Sequence, residues 1–411
     1  MEKQDFILRK EISEDLTEEA LKALFESMEV KRFKAGERLI TRGEKGDRLY
    51  VIQDGICSVI IEKDGEAYSI ASLKSGDFAG EMALITEEPR TAHVDVETDI
   101  VVAEIGREKF DIVCDEHPSL RQILTKIVQE RFHYSSIFKE QREVGKYKIQ
   151  DILGKGTVST VYKGVHKHID MPVAIKVLRH DMAMNPDFFN KFKEDAMKIV
   201  QLNHENIVTV FDIVDLYRTI FIFREYLEGE PLHKILDKTP QQPLNRVIEI
   251  LLQICSGLAH SHEQGLIHHG LHPGNIFILP NDQVKLINFG LAYPKESIDA
   301  SLGEMVQYMP PEQIAGEHLD EQTDIYSLGI TAFEMITGQR PFPDDDIDKF
   351  LEMHSTQEIP DPRSLRPDLP DELCRFVTQA TQKNPDKRYG NVSEIINDLK
   401  PLIGRKDITG Y

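Results

Sequence analysis

The chain has 411 residues, 40% of them hydrophobic and 29% charged, a composition that excludes a fibrous repeat and wholesale disorder. Against 49 Lys and Arg stand 70 Asp and Glu, and the net charge of −21 disfavours nucleic acid and anionic membranes as partners. The length exceeds one compact core and points to two or three domains, and no run reaches the ~18 apolar residues of a membrane span.

The N-terminal stretch is charged almost throughout and has no apolar signal region. Leu21, Leu24 and Phe25 fall at helical spacing between Thr17 and Met28, after which short alternating runs broken by turn residues predict strands. These runs are Arg48 to Ile52, Cys57 to Ile61, Tyr68 to Leu73 and Val94 to Ile105, with Asp54-Gly55 and Asp64-Gly65 as hairpin turns. From Pro118 the period turns helical again, with Leu120, Ile123, Leu124, Ile127, Val128 and Phe132 on one stripe. A charged stretch, Lys139 to Lys146, follows. Strands are predicted again at Tyr147 to Leu153, Val158 to Val165 and Val173 to Leu178. After about Asp187 the pattern is mostly helical, with long helices at Pro243 to Glu263 and Asp324 to Thr337. Strands first and helices afterwards make this second region α+β. Cys57, Cys114, Cys255 and Cys374 form no C-x-x-C pair, so reduced thiols in the cytoplasm are expected and no zinc or redox motif is read.

The first chemistry-bearing segment runs from Gly76 to Ile85 and is followed by Pro89-Arg90-Thr91-Ala92. Gly80 permits close backbone approach, and a short helix opening over Glu81, Met82 and Ala83 would aim free N–H groups at a phosphate. Arg90 suits that phosphate through two parallel hydrogen bonds, and Glu81, which only accepts, suits a ribose 2′-hydroxyl. On spacing alone, a surface helix N-terminus beside an unrelated arginine fits equally well. Residues from about Leu16 to Tyr134, including Phe33, Gly36, Gly43, Leu49-Tyr50-Val51-Ile52 and Gly55, resemble the cyclic-nucleotide-binding domains of the catabolite activator protein and of protein kinase A regulatory subunits. The resemblance implies an eight-stranded β-roll with flanking helices. It places Glu81 on the ribose, and Arg90 with the backbone around Met82 and Ala83 on the cyclic phosphate of cyclic AMP or cyclic GMP. Thr91, ahead of Ala92, adds a hydroxyl contact that suits either nucleotide. The following helix would close over the base, with Ile127, Val128, Phe132 and Tyr134 as capping candidates.

In the second region, Gly154-Lys155-Gly156-Thr157-Val158-Ser159-Thr160-Val161 lies between strand patterns, ahead of Val173-Ala174-Ile175-Lys176. With Glu225-Tyr226-Leu227, Pro310-Pro311-Glu312 and Asp324-Ile325-Tyr326-Ser327-Leu328-Gly329, the order from Tyr147 to about Leu402 resembles the bilobal serine/threonine protein kinase fold. The resemblance implies an ATP cleft at Gly154, Gly156, Val161, Ala174, Lys176, Glu225, Leu227 and Asn275. It also implies structural roles for Asp195, Phe289, Glu312, Asp324 and Arg388, with Arg388 pairing Glu312, Phe289 stacking on His268, and Asp324 anchoring the spine's base.

The departures from that pattern decide the expected chemistry. The catalytic loop reads His268-His269-Gly270-Leu271-His272-Pro273-Gly274-Asn275, so Gly270 stands where the general base is expected and His272 where the phosphoryl-contacting lysine is expected. Loss of a general base alone costs about 10²- to 10⁴-fold. Asn288-Phe289-Gly290 puts a neutral amide at the magnesium carboxylate position. Asp195 is one methylene shorter than the glutamate expected to pair Lys176, with Glu194 as an alternative. Glu304-Met305 replaces a Gly-Thr pair, and Arg224 puts a cation at the back of the pocket.

The resulting expectation is a pseudokinase with no catalytic residues and no resident metal, binding ATP weakly or without metal, and regulated by cyclic nucleotide. Its alternatives are an active cyclic-nucleotide-regulated kinase, using His269 or His272 as base, and a pure binding module. The expected domains are residues 1–117, a helix and linker at 118–146, the kinase-like domain at 147–404 and a tail at 405–411. Expected partners are a protein bound by the kinase-like domain and a second copy joined through the helix at 118–136, with neither nucleic acid nor membrane.

Overall fold

The computed structural model describes residues 16–63, 66–86, 89–121, 123–124, 143–156, 159–179, 186–216, 219–289, 305–342 and 346–405. Thr17 starts the first helix because its hydroxyl accepts the Ala20 amide hydrogen at 3.2 Å, and α1 (Glu18–Glu26) then buries Ala20 and Leu24. There follow β1 (Glu29–Phe33), β2 (Arg38–Ile40), β3 (Arg48–Asp54), β4 (Ile56–Lys63), β5 (Glu66–Lys74) and β6 (Phe78–Ala79). A short helix α2 (Glu81–Thr86), two further strands β7 (His93–Val96) and β8 (Ile100–Gly106), and α3 (Arg107–Glu116) complete this part. The strands form two four-stranded sheets, ordered β1-β8-β3-β6 and β2-β7-β4-β5, which is the expected eight-stranded roll. Side chains alternate across a strand, so β3 serves two cores at once. Leu49 and Val51 pack with the helices, while Tyr50 and Ile52 pack between the sheets.

Two turn readings change. Asp54-Gly55 is not a hairpin, because β3 and β4 belong to different sheets. Gly55 instead turns the chain between sheets at φ +89, where a Cβ would lie 2.5 Å from the Asp99 carbonyl oxygen. The predicted strand Val94 to Ile105 is two strands, interrupted at residues 97–99. Asp64 and Gly65 lie outside the described residues, although the pairing of Lys63 with Glu66 is that of the expected hairpin. Residues 118–121, 123 and 124 are helical, and the rest of the predicted helix lies outside the described residues.

The second part opens with β9 (Glu143–Val144), within the stretch read as linker, which pairs with β10 (Tyr147–Lys155) through Tyr147 and Val144. Next come β11 (Ser159–His166), β12 (Pro172–Leu178), α4 (Pro186–Ile199), β13 (Val210–Leu216) and β14 (Thr219–Glu225). They build one antiparallel sheet ordered β13-β14-β12-β11-β10-β9, so the chain returns to strands after Asp187 before becoming helical. Tyr147 and Phe223 stack beneath it with ring centroids 3.9 Å apart.

The helical lobe contains α5 (Leu232–Lys238), α6 (Leu244–Glu263), α7 (Pro311–Ala315), α8 (Glu321–Thr337), α9 (Ile347–Thr356), α10 (Asp371–Ala380) and α11 (Val392–Leu399), with short strands at Ile276–Ile278 and Val284–Leu286. Asp320 and Thr323 make a reciprocal capping box at the start of α8, and Gly338 stops it in the left-handed region at φ +76. The expected pair forms: Arg388 donates to both Glu312 oxygens at 2.6 and 2.8 Å, with both side chains buried.

Candidate functional site

In the first part, β6 ends at Ala79 and Gly80 turns the chain at φ +87 into α2. Gly80 meets two demands, because a Cβ there would also lie 2.4 Å from Arg90 Nη1 and 2.8 Å from the Arg48 carbonyl oxygen. The Arg90 guanidinium therefore lies across Gly80. Nη1 donates to the Gly80 carbonyl and Nη2 to the Arg48 carbonyl, each at 2.8 Å. These bonds aim the planar fork and leave its other N–H groups for an anion. The Arg90 backbone is clasped as well, its amide donating to Glu44 O and its carbonyl accepting from Gly43 N, both at 2.8 Å. Burial lowers the pKa of Arg90 from its ordinary value. Glu81 and Ala83 are buried beside it, Met82 packs partly against the helix-side core, Thr91 is half-buried and Ala92 is buried.

Sequence reasoning missed the support beneath this site. Arg107 Nη2 donates to the carbonyls of Ala83 at 3.0 Å and Gly46 at 3.2 Å. Gly46 has no room for a side chain, since a Cβ would sit 2.0 Å from that of Ala83. Only the three-dimensional approach of α2 to the 43–48 loop reveals these roles. The capping candidates Ile127, Val128, Phe132 and Tyr134 lie outside the described residues.

In the second part, Lys176 and Arg224 project from adjacent strands onto one atom. Lys176 Nζ donates to Asn288 Oδ1 at 3.0 Å and Arg224 Nη1 donates to the same oxygen at 3.3 Å. Lysine and arginine only donate, so the Asn288 oxygen must face them. Its amide nitrogen then faces Asn275 Oδ1, at 2.7 Å, and Asn275 Nδ2 in turn donates to the Gly270 carbonyl at 2.8 Å. Burial, and then Arg224, push the pKa of Lys176 well below its ordinary value, while burial lowers Arg224 to about 10. Sharing one oxygen puts the two charges within about 6 Å, a repulsion of roughly 3 kcal/mol at an effective dielectric constant of ~20.

The Lys176 ion pair is absent among the described residues. Asp195 is buried but pairs with Lys191 one turn earlier, at 3.0 Å, and Glu194 is exposed. Magnesium does not fit the donors present. Asn275 and Asn288 are both neutral, their oxygens already accept hydrogen bonds, and two cations face the Asn288 oxygen.

Burial lowers the pKa of all three histidines in this loop. His268 Nε2 lies 3.0 Å from the Ile287 carbonyl, and its Nδ1 accepts the Gly270 amide hydrogen at 3.3 Å, which assigns the neutral ring. Burial lowers its pKa to about 4. His272 Nδ1 accepts the Gly274 amide hydrogen at 3.2 Å, and burial lowers its pKa to about 3. His269 is lowered by burial too. A Cβ on Gly270 would lie 3.4 Å from Met305 Sδ, while Glu304 lies outside the described residues.

The surrounding frame is intact. Asp324 accepts the amide hydrogens of His268 at 2.8 Å and His269 at 3.0 Å, and His268 and Phe289 pack with centroids 4.5 Å apart. Val161 faces Lys176 and Ala174 faces Arg224 across the sheet. Glu225 accepts a hydrogen bond from Lys285 Nζ at 3.0 Å, and Leu227 is half-buried. Gly154 has open space at its Cβ position, and Gly156 approaches the Ser159 carbonyl.

Comparison with known proteins matches the two parts separately. The family model for the cyclic nucleotide-binding domain matches residues 30–117, and that for the protein kinase domain matches residues 147–399. The serine/threonine-protein kinase PknB of Mycolicibacterium smegmatis is 34% identical over 264 residues, covering 62% of this chain and 42% of the relative. The serine/threonine-protein kinase PknA of Mycobacterium tuberculosis is 33% identical over 254 residues, covering 60% and 58%. A crystal structure of the PknI kinase domain of M. tuberculosis superposes with a TM-score of 0.54 at 25% identity, covering 64% of this chain and 97% of that domain. The chain spans between 42% and 58% of the length of these two curated relatives. No helix among the described residues is long and apolar enough to cross a membrane. With the kinase model covering more than half of its length, the chain belongs to the protein kinase domain family, and a cyclic nucleotide-binding domain precedes the kinase domain.

Proposed function

We propose that this chain is a cytoplasmic, cyclic-nucleotide-responsive signalling protein whose kinase domain does not transfer phosphate and acts by binding a protein partner. In this reading Arg90 and the α2 backbone hold the cyclic phosphate, Glu81 holds the ribose 2′-hydroxyl, and cyclic AMP or cyclic GMP shifts the helix that begins at residue 118. The functional units are residues 1–117, 118–146 and 147–404.

The observation that carries the non-transferring reading is the hydrogen-bond chain from Lys176 and Arg224 through Asn288 and Asn275 to Gly270. It occupies the ground where a transferring kinase needs a metal carboxylate and a general base. A second reading, a cyclic-nucleotide-regulated serine/threonine kinase, is favoured by the relatives' names. One assay separates the two: the purified full chain with ATP, magnesium and a generic protein substrate, with and without cyclic AMP or cyclic GMP. The proposal expects no turnover above that of a Lys176→Ala control. Turnover that Lys176→Ala abolishes establishes the second reading instead. Hydrogen exchange with cyclic nucleotide tests the switch, which requires slower exchange in the β12 region as well as in the cassette, since coupling demands different affinities in two states.

A further inference from the structure

Lys176, which is buried, and Arg224, which is half-buried, are two cations facing one neutral amide, with no carboxylate partner among the described residues. Buried charges are ordinarily paired, because desolvation penalises an isolated ion and like charges in a low-dielectric site repel. Asn288 contributes only one dipole to both cations. An anion placed between them relieves both penalties together.

The same geometry excludes a divalent metal as the anion's companion. Magnesium would approach two cations and two engaged amide oxygens with no carboxylate to hold it. Guanidinium is instead a fixed positive charge with a planar fork that matches phosphate oxygens. Gly154 pairs with Val161, which pairs with Lys176 on the next strand, and its Cβ position is open.

We infer that the kinase cleft binds an unmetallated polyphosphate, with Lys176 and Arg224 together supplying the positive charge that magnesium supplies in a phosphotransfer enzyme. The polyphosphate is the tail of a nucleoside triphosphate or a free polyphosphate chain. Magnesium competes with this site for the ligand's charge, so it weakens binding. The inference rests on the non-transferring reading of this domain.

Calorimetric titration of the full chain tests it with ATP, tripolyphosphate and adenosine, each in EDTA and in excess magnesium. ATP is expected to bind in EDTA at least as tightly as in magnesium, and adenosine at least tenfold more weakly than ATP. Tripolyphosphate matching ATP assigns the free chain as sufficient, while tripolyphosphate at least tenfold weaker assigns the nucleotide; both support the phosphate contact. Arg224→Met should weaken ATP in EDTA at least tenfold while leaving cyclic-nucleotide affinity unchanged. Asn288→Asp, which places a carboxylate between the two cations, should also weaken ATP in EDTA at least tenfold and make the remaining binding magnesium-dependent. The inference is overturned if ATP binds only with magnesium, if adenosine binds as tightly as ATP, if neither phosphate ligand binds, or if both folded variants bind like the parent. Absence of binding together with absence of phosphotransfer removes this inference alone, whereas magnesium-dependent transfer removes the non-transferring reading as well.

Discussion

Replacing Arg90 tests the cyclic-nucleotide site at its most constrained atom. In the free protein the guanidinium donates to the Gly80 and Arg48 carbonyls at 2.8 Å each, and Arg90 is 7% exposed. Hydrogen bonds from a charged donor contribute about 1.5–3 kcal/mol, but water can reach the freed carbonyls at this depth, so Arg90→Ala should destabilise the fold by only about 2 kcal/mol. Ligand affinity suffers separately, because the phosphate loses a charge-assisted, two-point contact. The expected loss exceeds ~2 kcal/mol, or roughly 30-fold in Kd. Arg90→Lys keeps the charge without the fork and should lie between the two, about tenfold down. Gly80→Ala should imitate Arg90→Ala, since its Cβ would sit 2.4 Å from Nη1 and displace the guanidinium while the arginine itself remains. Calorimetry with cyclic AMP and cyclic GMP at fixed ionic strength, paired with thermal unfolding, reads both effects. A folded Arg90→Ala protein that binds either nucleotide within about threefold of the parent refutes the assignment.

On the proposed non-transferring reading, Gly270→Asp alone should leave phosphotransfer far below the roughly 1–100 per second typical of kinases, because position 288 still carries an amide; a radiolabel assay showing such rates would contradict that reading. Acid should destabilise the kinase domain. His268 has its pKa lowered from 6.5 to about 4 by burial, so the unfolded chain takes up the proton first. This contribution is complete above pH 6.5 and disappears as pH falls towards 4, by about 3 kcal/mol for His268 alone. His272 and His354, both lowered to about 3, act in the same direction, and a denaturation midpoint that stays level from pH 7.5 to 5 would count against it. Arg388→Ala should cost about 3–5 kcal/mol of kinase-domain stability by stranding buried Glu312, while cyclic-nucleotide affinity is unchanged; a midpoint near the parent's would show that the pair contributes little.

Local chemistry was legible where one short segment contains both cause and consequence. The helical spacing between Thr17 and Met28, the period of α6 and the order Gly80, Glu81, Arg90 could all be read along the chain. Asp54-Gly55 marks the limit of such reading. Its turn chemistry correctly announces a sharp bend, but strand pairing is non-local, and β4 joins β5 and β7 rather than returning along β3. The support beneath Arg90 was hidden for the same reason, because Arg107 acts through the carbonyls of Gly46 and Ala83. In the kinase cleft the departures at Gly270 and Asn288 were visible in the sequence. Their replacement contacts were not, since Arg224 and Asn288 lie 64 positions apart and Asp195 finds Lys191 one helical turn away.

These replacements are interdependent because hydrogen bonds have direction. Lys176 and Arg224 fix the Asn288 oxygen, which leaves the Asn288 amide nitrogen needing an acceptor. Asn275 provides it, and its own nitrogen must then donate to Gly270 O. A carboxylate at 288 would satisfy the cations better but would face Asn275 with a second acceptor, forcing that amide to turn and release Gly270. A Cβ on Gly270 would meet Met305 Sδ at 3.4 Å, an ordinary contact distance. Asp324 meanwhile holds the amides of His268 and His269, which keeps His269 in the left-handed region at φ +61. The loop is thus held by Asp324 on one side and by the Asn275 and Asn288 amides on the other. Substitutions at 224, 275 and 288 should therefore couple rather than add, as expected of side chains sharing one hydrogen-bond network.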